Sequence, residues 1–203
     1  MDALAEKERQ KYERLWGSFP EYGESYDTPL ANILLKYFGS RVCEGDSIID
    51  FGCGSGRTAV VWLAANLKVR LVDFCDNSLS PDIFLLSVGP NPKVSFYQEC
   101  LWSLPDSLKP ADWFSCFDVL EHIPESKVEV VLKAISIRMR KGGLMSIALR
   151  EDVWGKEIGE KLHLTVRPYE WWKERVSRYF SIHPDLYRHT NAVGWAVTPK
   201  EAD

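Results

Sequence analysis

Asp50, Gly52, Gly54 and Gly56 follow one another at every second position, and they are the residues of this chain best suited to holding a ligand. Glycine reaches positive φ without steric cost and lets backbone N–H groups approach a bound molecule closely. The apolar pair Ile48-Ile49 ahead of them suits a strand buried on both faces. A segment from Arg57 onward reads as a helix whose positive dipole end would point at the same ligand. A loop of this kind at the carboxyl end of the first strand of an open α/β sheet is a nucleotide-type pocket. Gly54-Ser55-Gly56-Arg57-Thr58-Ala59 also fits the G-x-G-x-x-A form of a dinucleotide fingerprint. Asp50 weighs against that form, because a carboxylate there attracts a cation such as an amino group and repels a pyrophosphate. One helix and one strand later, Val69-Arg70-Leu71-Val72-Asp73 ends a second apolar run in a carboxylate. Asp73 is placed to accept hydrogen bonds from two ribose hydroxyls. The alternative is a purely structural glycine turn with Asp73 capping a strand end.

The elements that must position these residues alternate between strand and helix periods. Residues 3–15 read as a surface helix, and residues 17–29 break it. Leu30, Ile33, Leu34, Tyr37 and Phe38 recur at helical spacing, with Gly39 placed to stop that helix. Tyr12, Trp16, Tyr22 and Tyr26 cluster in the first segment, either as aromatic packing or as a flap over a ligand. Further strands are expected at residues 94–98, 113–118 and 144–149. A helix is expected over 126–140, with Val128, Val131, Leu132, Ile135 and Met139 on one face and Lys141-Gly142-Gly143 as its stop. Pro168 fits the first turn of a helix running to Phe180. The tail reads as two extended runs around Thr190-Asn191, a hairpin. The alternation predicts a parallel sheet with an antiparallel edge pair.

Length and composition bound the function. The 203 residues suffice for one α/β domain with a substantial core. A net charge of −4 gives no general attraction to nucleic acid. Eight tryptophans are many, and several fall late in the chain, where a substrate wall can lie. The five cysteines are odd in number and lack C-x-x-C spacing, so they form neither a zinc nor a disulfide framework. Reduced thiols point to a cytoplasmic protein. The amino terminus lacks an apolar signal core and no run reaches membrane-spanning length, so no membrane partner is expected.

The string Asp50-x-Gly52-x-Gly54-x-Gly56 resembles the first motif of class I S-adenosylmethionine (SAM) methyltransferases. Asp118-Val119-Leu120-Glu121-His122-Ile123-Pro124 is similar to the fourth-strand motif of many small-molecule methyltransferases, and Lys141-Gly142-Gly143 to the hinge before their fifth strand. The whole pattern resembles methyltransferase-like proteins common in bacteria and their phages, a group without an assigned substrate. The resemblance implies a Rossmann-like fold: a seven-stranded, mostly parallel sheet of order 3-2-1-4-5-7-6 with helices on both faces. One domain would span residues 1–203, with a helical cap or lid over 1–40 and a SAM-binding core over 46–199. SAM would be the cofactor and S-adenosylhomocysteine (SAH) the product. Asp50, Gly52, Cys53 and Gly54 would hold the amino-acid end of SAM, and Asp73 the ribose. Phe74 would flank the adenine, with Cys100, Leu101 or Trp102 opposite and Glu99 as the candidate for the adenine amino group. Phe117 or Asp118 would lie beside the methionine portion.

Methyl transfer from a sulfonium needs alignment and, for a hydroxyl or amine acceptor, removal of a proton. His122 follows the fourth strand and titrates near neutrality; it is a candidate base unless Glu121-His122 caps the next helix. His163, in the loop after the fifth strand, is the other candidate. Arg150 and Arg167 can receive an anionic group on the acceptor. Trp154, Trp171 and Trp172 can stack on a planar or sugar acceptor, although one of the adjacent pair belongs in the core. Tyr12, Tyr22 and Tyr26 would complete the lid. There is no Asn/Asp-Pro-Pro-Tyr/Phe string and no Pro-Cys nucleophile, which leaves base methylation of the familiar kinds unsupported. No acidic trio points to a divalent metal, so none is expected. The leading reading is methylation of O, N or C on a small polar metabolite, a sugar or nucleotide derivative among the candidates. A nucleic-acid or protein acceptor is the second reading. A SAM-binding partner subunit without chemistry of its own is the third.

Overall fold

Apolar residues alternate between the two faces of the central strands, and that alternation sets the layers. The structure is a computed structural model that describes residues 2–19, 22, 27–90 and 92–200. In chain order the elements are α1 (Ala3–Ser18), α2 (Asp27–Phe38), β1 (Ser47–Phe51), α3 (Thr58–Ala64), β2 (Lys68–Asp73), α4 (Pro81–Ser87), β3 (Val94–Gln98), β4 (Ala111–Phe117), α5 (Glu125–Ser136), β5 (Met139–Ala148), α6 (Gly155–Ile158), α7 (Tyr169–Tyr179), β6 (Phe180–Ile182), β7 (Tyr187–Arg188) and β8 (Ala192–Pro199). Ile48, Leu71, Trp113 and Leu144 point to one face, where α2, α3 and α4 cover them with Leu34, Trp62 and Ile83. Ile49, Phe51, Phe114 and Met145 point to the other, under α5 and α7 with Leu132 and Trp172. Every residue of β1 is buried, as a strand covered on both faces requires.

The sheet order is β3-β2-β1-β4-β5-β8-β6, with β7 paired to β8 off that path. Strands β1 to β5 run parallel, and β8 is antiparallel to β5, β6 and β7. The order is the expected one, with β8 in the place of the seventh strand and one short strand more than the seven anticipated. The extra strand arises because the sixth position is interrupted. Phe180–Ile182 and Tyr187–Arg188 pair with opposite ends of β8, and between them Pro184 has no N–H to offer a ladder. Connections lead away on opposite sides between β1 and β4, so a crevice opens there at the carboxyl ends of the strands.

Several boundaries differ from the sequence expectation. The helix predicted over 126–140 stops at Ser136, and Met139 begins β5. Lys141-Gly142-Gly143 therefore lies inside a strand and does not end a helix. The glycines serve packing: a Cβ on Gly143 would stand 2.2 Å from the Phe114 ring. Helix α3 ends at Ala64, and Asn66 turns the chain at φ +56°. Helix α1 runs to Ser18, and its start is capped by the Asp2 carboxylate accepting from the Ala5 N–H at 2.8 Å. Among the described residues, no helix is long and apolar enough to cross a membrane.

Candidate functional site

The loop after β1 holds Gly52, Gly54 and Gly56 at φ +71°, +50° and +70°. Gly52 admits no side chain, since a Cβ there would meet Val119 at 2.4 Å. Asp73 at the end of β2 fixes this loop from the side. Its carboxylate accepts from the Gly54 N–H and the Cys75 N–H, each at 3.0 Å. Burial pushes Asp73 up to about 6 against the pull of those backbone donors.

The loop forms the floor of a cavity of about 560 Å³ at the crevice mouth, within the range of small-ligand sites. Of the residues picked from the sequence, Gly52, Gly54, Asp73, Phe74, Leu101, Trp102, Phe117 and Asp118 line it. Glu99, the candidate for the adenine amino group, lines it as well. On its other side stand Tyr12, Tyr22, His122, Arg150, Trp154 and His163. Cofactor-side and acceptor-side candidates thus share one chamber.

Other candidates lie elsewhere. Asp50 was expected opposite an amino group, yet its carboxylate turns under the start of α3. There it accepts from the Thr58 hydroxyl and, at 2.7 Å, from the Ser115 hydroxyl. Strand register puts Ser115 directly opposite Asp50, which is why the two meet. Burial lifts Asp50 to about 6, and the two hydroxyls oppose the lift. Cys53 and Cys100 are buried away from the cavity lining. Arg167 points to a separate surface cleft beside Arg188 and pairs with Glu125. Trp172 is fully buried in the core, and Trp171 packs beneath Arg175 at 3.6 Å; neither lines the cavity. Tyr26 lies outside the described residues.

Glu121 does not cap α5, which begins after Pro124. Its side chain is fully buried, and Oε1 accepts from the Ala148 N–H at 2.8 Å. Burial, with Asp118 nearby, raises its carboxyl well above the usual range. His122 bonds through Nδ1 to the Leu162 carbonyl at 3.2 Å and to the Tyr12 hydroxyl at 2.5 Å. Burial, then the neighbouring His163, pushes it down to about 3, so it is a neutral imidazole at physiological pH. His163 Nδ1–H donates to the Arg150 carbonyl at 2.6 Å. The two imidazole rings meet edge-on, centroids 4.6 Å apart.

Three residues missed in the sequence hold this arrangement together. The Asp152 carboxylate accepts from the N–H groups of Gly155, Leu162 and His163, tying both ends of the loop after β5. Thr165 anchors the strap that follows, donating its hydroxyl to the Ile123 carbonyl at 2.7 Å. Ser146 fixes Asp118, which stands at φ +51°, by accepting its N–H at 2.9 Å and donating to Oδ1 at 2.8 Å. Asp152-x-x-Gly155 is a legible capping signal; the other two roles depend on neighbours distant in sequence.

The chain is 23% identical over 133 residues to the ribosomal protein L11 methyltransferase of Laribacter hongkongensis. That match covers 65% of this chain and spans only 42% of the relative's length. Among solved structures, the 1,6-didemethyltoxoflavin-N1-methyltransferase of Burkholderia thailandensis, with bound 1,6-didemethyltoxoflavin and SAH, superposes at a TM-score of 0.73. Identity is 15%, and coverage is 95% of this chain and 87% of the other. The magnesium protoporphyrin IX methyltransferase of Synechocystis PCC 6803, with bound SAH, gives a TM-score of 0.66 at 15% identity, covering 94% of each chain. A family model described as a methyltransferase domain matches residues 11–199, so the chain belongs to the methyltransferase-domain family.

Proposed function

We propose that the protein is a SAM-dependent methyltransferase acting on O, N or C of a small polar metabolite. The observation that carries this reading is the shared chamber, which has a glycine-lined, Asp73-flanked half and a half walled by His122, His163 and Trp154. The first half fits SAM: bare backbone at Gly52 and Gly54 leaves room for the methionyl end, and Asp73 offers a carboxylate to the ribose hydroxyls. Phe74 and Leu101 with Trp102 flank the adenine, and Glu99 is in reach of its amino group. When bound, SAM supplies an electrophilic methyl; the acceptor's lone pair forms a bond to that carbon as the carbon–sulfur bond breaks onto sulfur.

The acceptor's proton leaves toward the His163 imidazole. A carbonyl oxygen only accepts, so the His163 Nδ1 facing Arg150 carries that ring's proton. Its Nε2 is left with a lone pair. Trp154 and Tyr22, in edge contact at 5.9 Å between centroids, form an aromatic wall suited to a planar or sugar acceptor. Helix α1 closes the chamber from above through Glu8, Tyr12 and Trp16, and the amino-terminal residues 1–40 act as its cap. The chamber's size and the chain's acidity favour a small acceptor over a nucleic acid or protein.

Calorimetry separates the donor classes: SAH should bind at one site while NAD shows no saturable heat. Tighter binding of NAD would overturn the donor assignment. Incubation with methyl-labelled SAM and cell extract, split into small-molecule, nucleic-acid and protein fractions, should place the label in the small-molecule fraction. Label confined to the macromolecular fractions would move the acceptor to the second class.

A further inference from the structure

Glu121 Oε2 has no hydrogen-bond partner, although the side chain is fully buried. A carboxylate oxygen left bare in such a place costs free energy comparable to a lost hydrogen bond or more, so it calls for a partner. The groups beside it are the imidazoles of His122 and His163. The nearest ligating atoms of Glu121, His122 and His163 all lie within 4.8 Å of one another. The Arg150 carbonyl holds the Nδ1 proton of His163, so the Nε2 of that ring carries no hydrogen to give to the carboxylate. Three ligand-type side chains therefore converge on one buried place. Metal-ligating histidines characteristically donate their other ring N–H to a main-chain carbonyl in this way.

We propose that Glu121, His122 and His163 form a binding site for one divalent transition-metal ion, whose open positions face the chamber and take an oxygen of the methyl acceptor. Two imidazoles and one carboxylate are the donor set of Zn²⁺, Fe²⁺, Mn²⁺ or Co²⁺, whereas Mg²⁺ and Ca²⁺ prefer all-oxygen shells. Bonds of about 2.1 Å to a common ion hold ligand atoms roughly 3–3.5 Å apart, so the three side chains close by about 1 Å on binding. His122 and His163 line the chamber and Glu121 stands behind them, which leaves the ion's remaining positions turned toward the acceptor half. An ion there lowers the pKa of a coordinated hydroxyl. With the imidazoles engaged as ligands they take no proton themselves, and the coordinated hydroxyl would give its proton to water. This inference rests on the methyltransferase reading for the role of the ion, and narrows the acceptor to a molecule with an oxygen able to coordinate.

The test is a Co²⁺ titration of the chelator-stripped full chain, followed by visible absorption and calorimetry, with SAH binding measured on the same samples. The expected result is one saturable site with d–d bands, at least tenfold tighter for Co²⁺ than for Mg²⁺. Glu121→Gln keeps the acceptor for the Ala148 N–H, and it should weaken Co²⁺ at least tenfold while SAH still binds. His163→Ala, which spares that contact altogether, should do the same. Absence of saturable Co²⁺ binding, or affinity unchanged in both variants, would overturn the site. Normal SAH binding alongside that failure leaves the methyltransferase reading intact, whereas Co²⁺ binding without SAH binding would retain the ion site and remove its proposed role.

Discussion

Asp73→Ala is expected to weaken SAH binding by roughly tenfold to a hundredfold at pH 7.5. A hydrogen bond to a charged acceptor contributes about 1.5–3 kcal/mol, and 1.4 kcal/mol is about a factor of ten in affinity. The substitution removes the acceptor for the ribose hydroxyls and also frees the Gly54 and Cys75 N–H groups that the carboxylate holds. Asp73→Asn retains one oxygen and should fall between wild type and alanine. Unchanged affinity in a folded Asp73→Ala protein would place the ribose elsewhere. The shift at Asp73 adds a pH signature. Its carboxyl is raised to about 6 in the empty protein, and only the ionised form accepts from both hydroxyls. Affinity should be full above pH 6 and drop as pH falls through it, with part of this slope lost in Asp73→Asn. Stability of the empty protein runs the other way. The protonated form is favoured on folding, so its contribution is complete below the unfolded value of 3.8 and is lost as pH rises through about 6.

The second large effect is kinetic. His163→Ala should lower turnover by roughly a hundredfold or more, the lower part of the range for removing a proton-transfer group. SAH affinity should stay within about twofold, because the imidazole stands on the acceptor side of the chamber. Single-turnover assays with calorimetry on the same preparation decide the matter. His163 is only 7% exposed, so a packing role is the competing account. Packing alone would lower the melting temperature and weaken SAH together, with a pH–rate profile unchanged in shape.

Much of this molecule was legible because the relevant physics is local. A run of apolar residues ending in an acid, followed by glycines at alternate positions, defines strand, turn and helix within thirteen residues. Asp73 follows by the same logic one unit later, whereas Phe74 came from the resemblance. Where the side chain of Asp50 turns was not legible, because that depends on Ser115 in a strand paired by register. The glycines at 142 and 143 misled for a related reason: glycine stops helices, but it also makes room for a ring, and only the position of Phe114 tells which. Glu121 and His122 meet His163 only after α5 and β5 have been laid down between them, so adjacency in space had no trace in spacing. Arg167 was chosen as a charge for an anionic acceptor, but the strap past Thr165 carries it to the outside.

Helix α1 is tied down at several places. Tyr12 reaches His122, Glu13 accepts through its carbonyl from Asn77, Arg14 pairs with Glu160, and Lys11 donates to the Lys161 carbonyl. These anchors reach different segments from one helix, so a movement of α1 as a body would release them together. One of them is the Tyr12–His122 hydrogen bond in the wall of the chamber. Under the proposed function, swinging the rod away to exchange spent donor for fresh would therefore free His122 beside His163 in the same motion. Opening the chamber and loosening its acceptor wall would then be a single event.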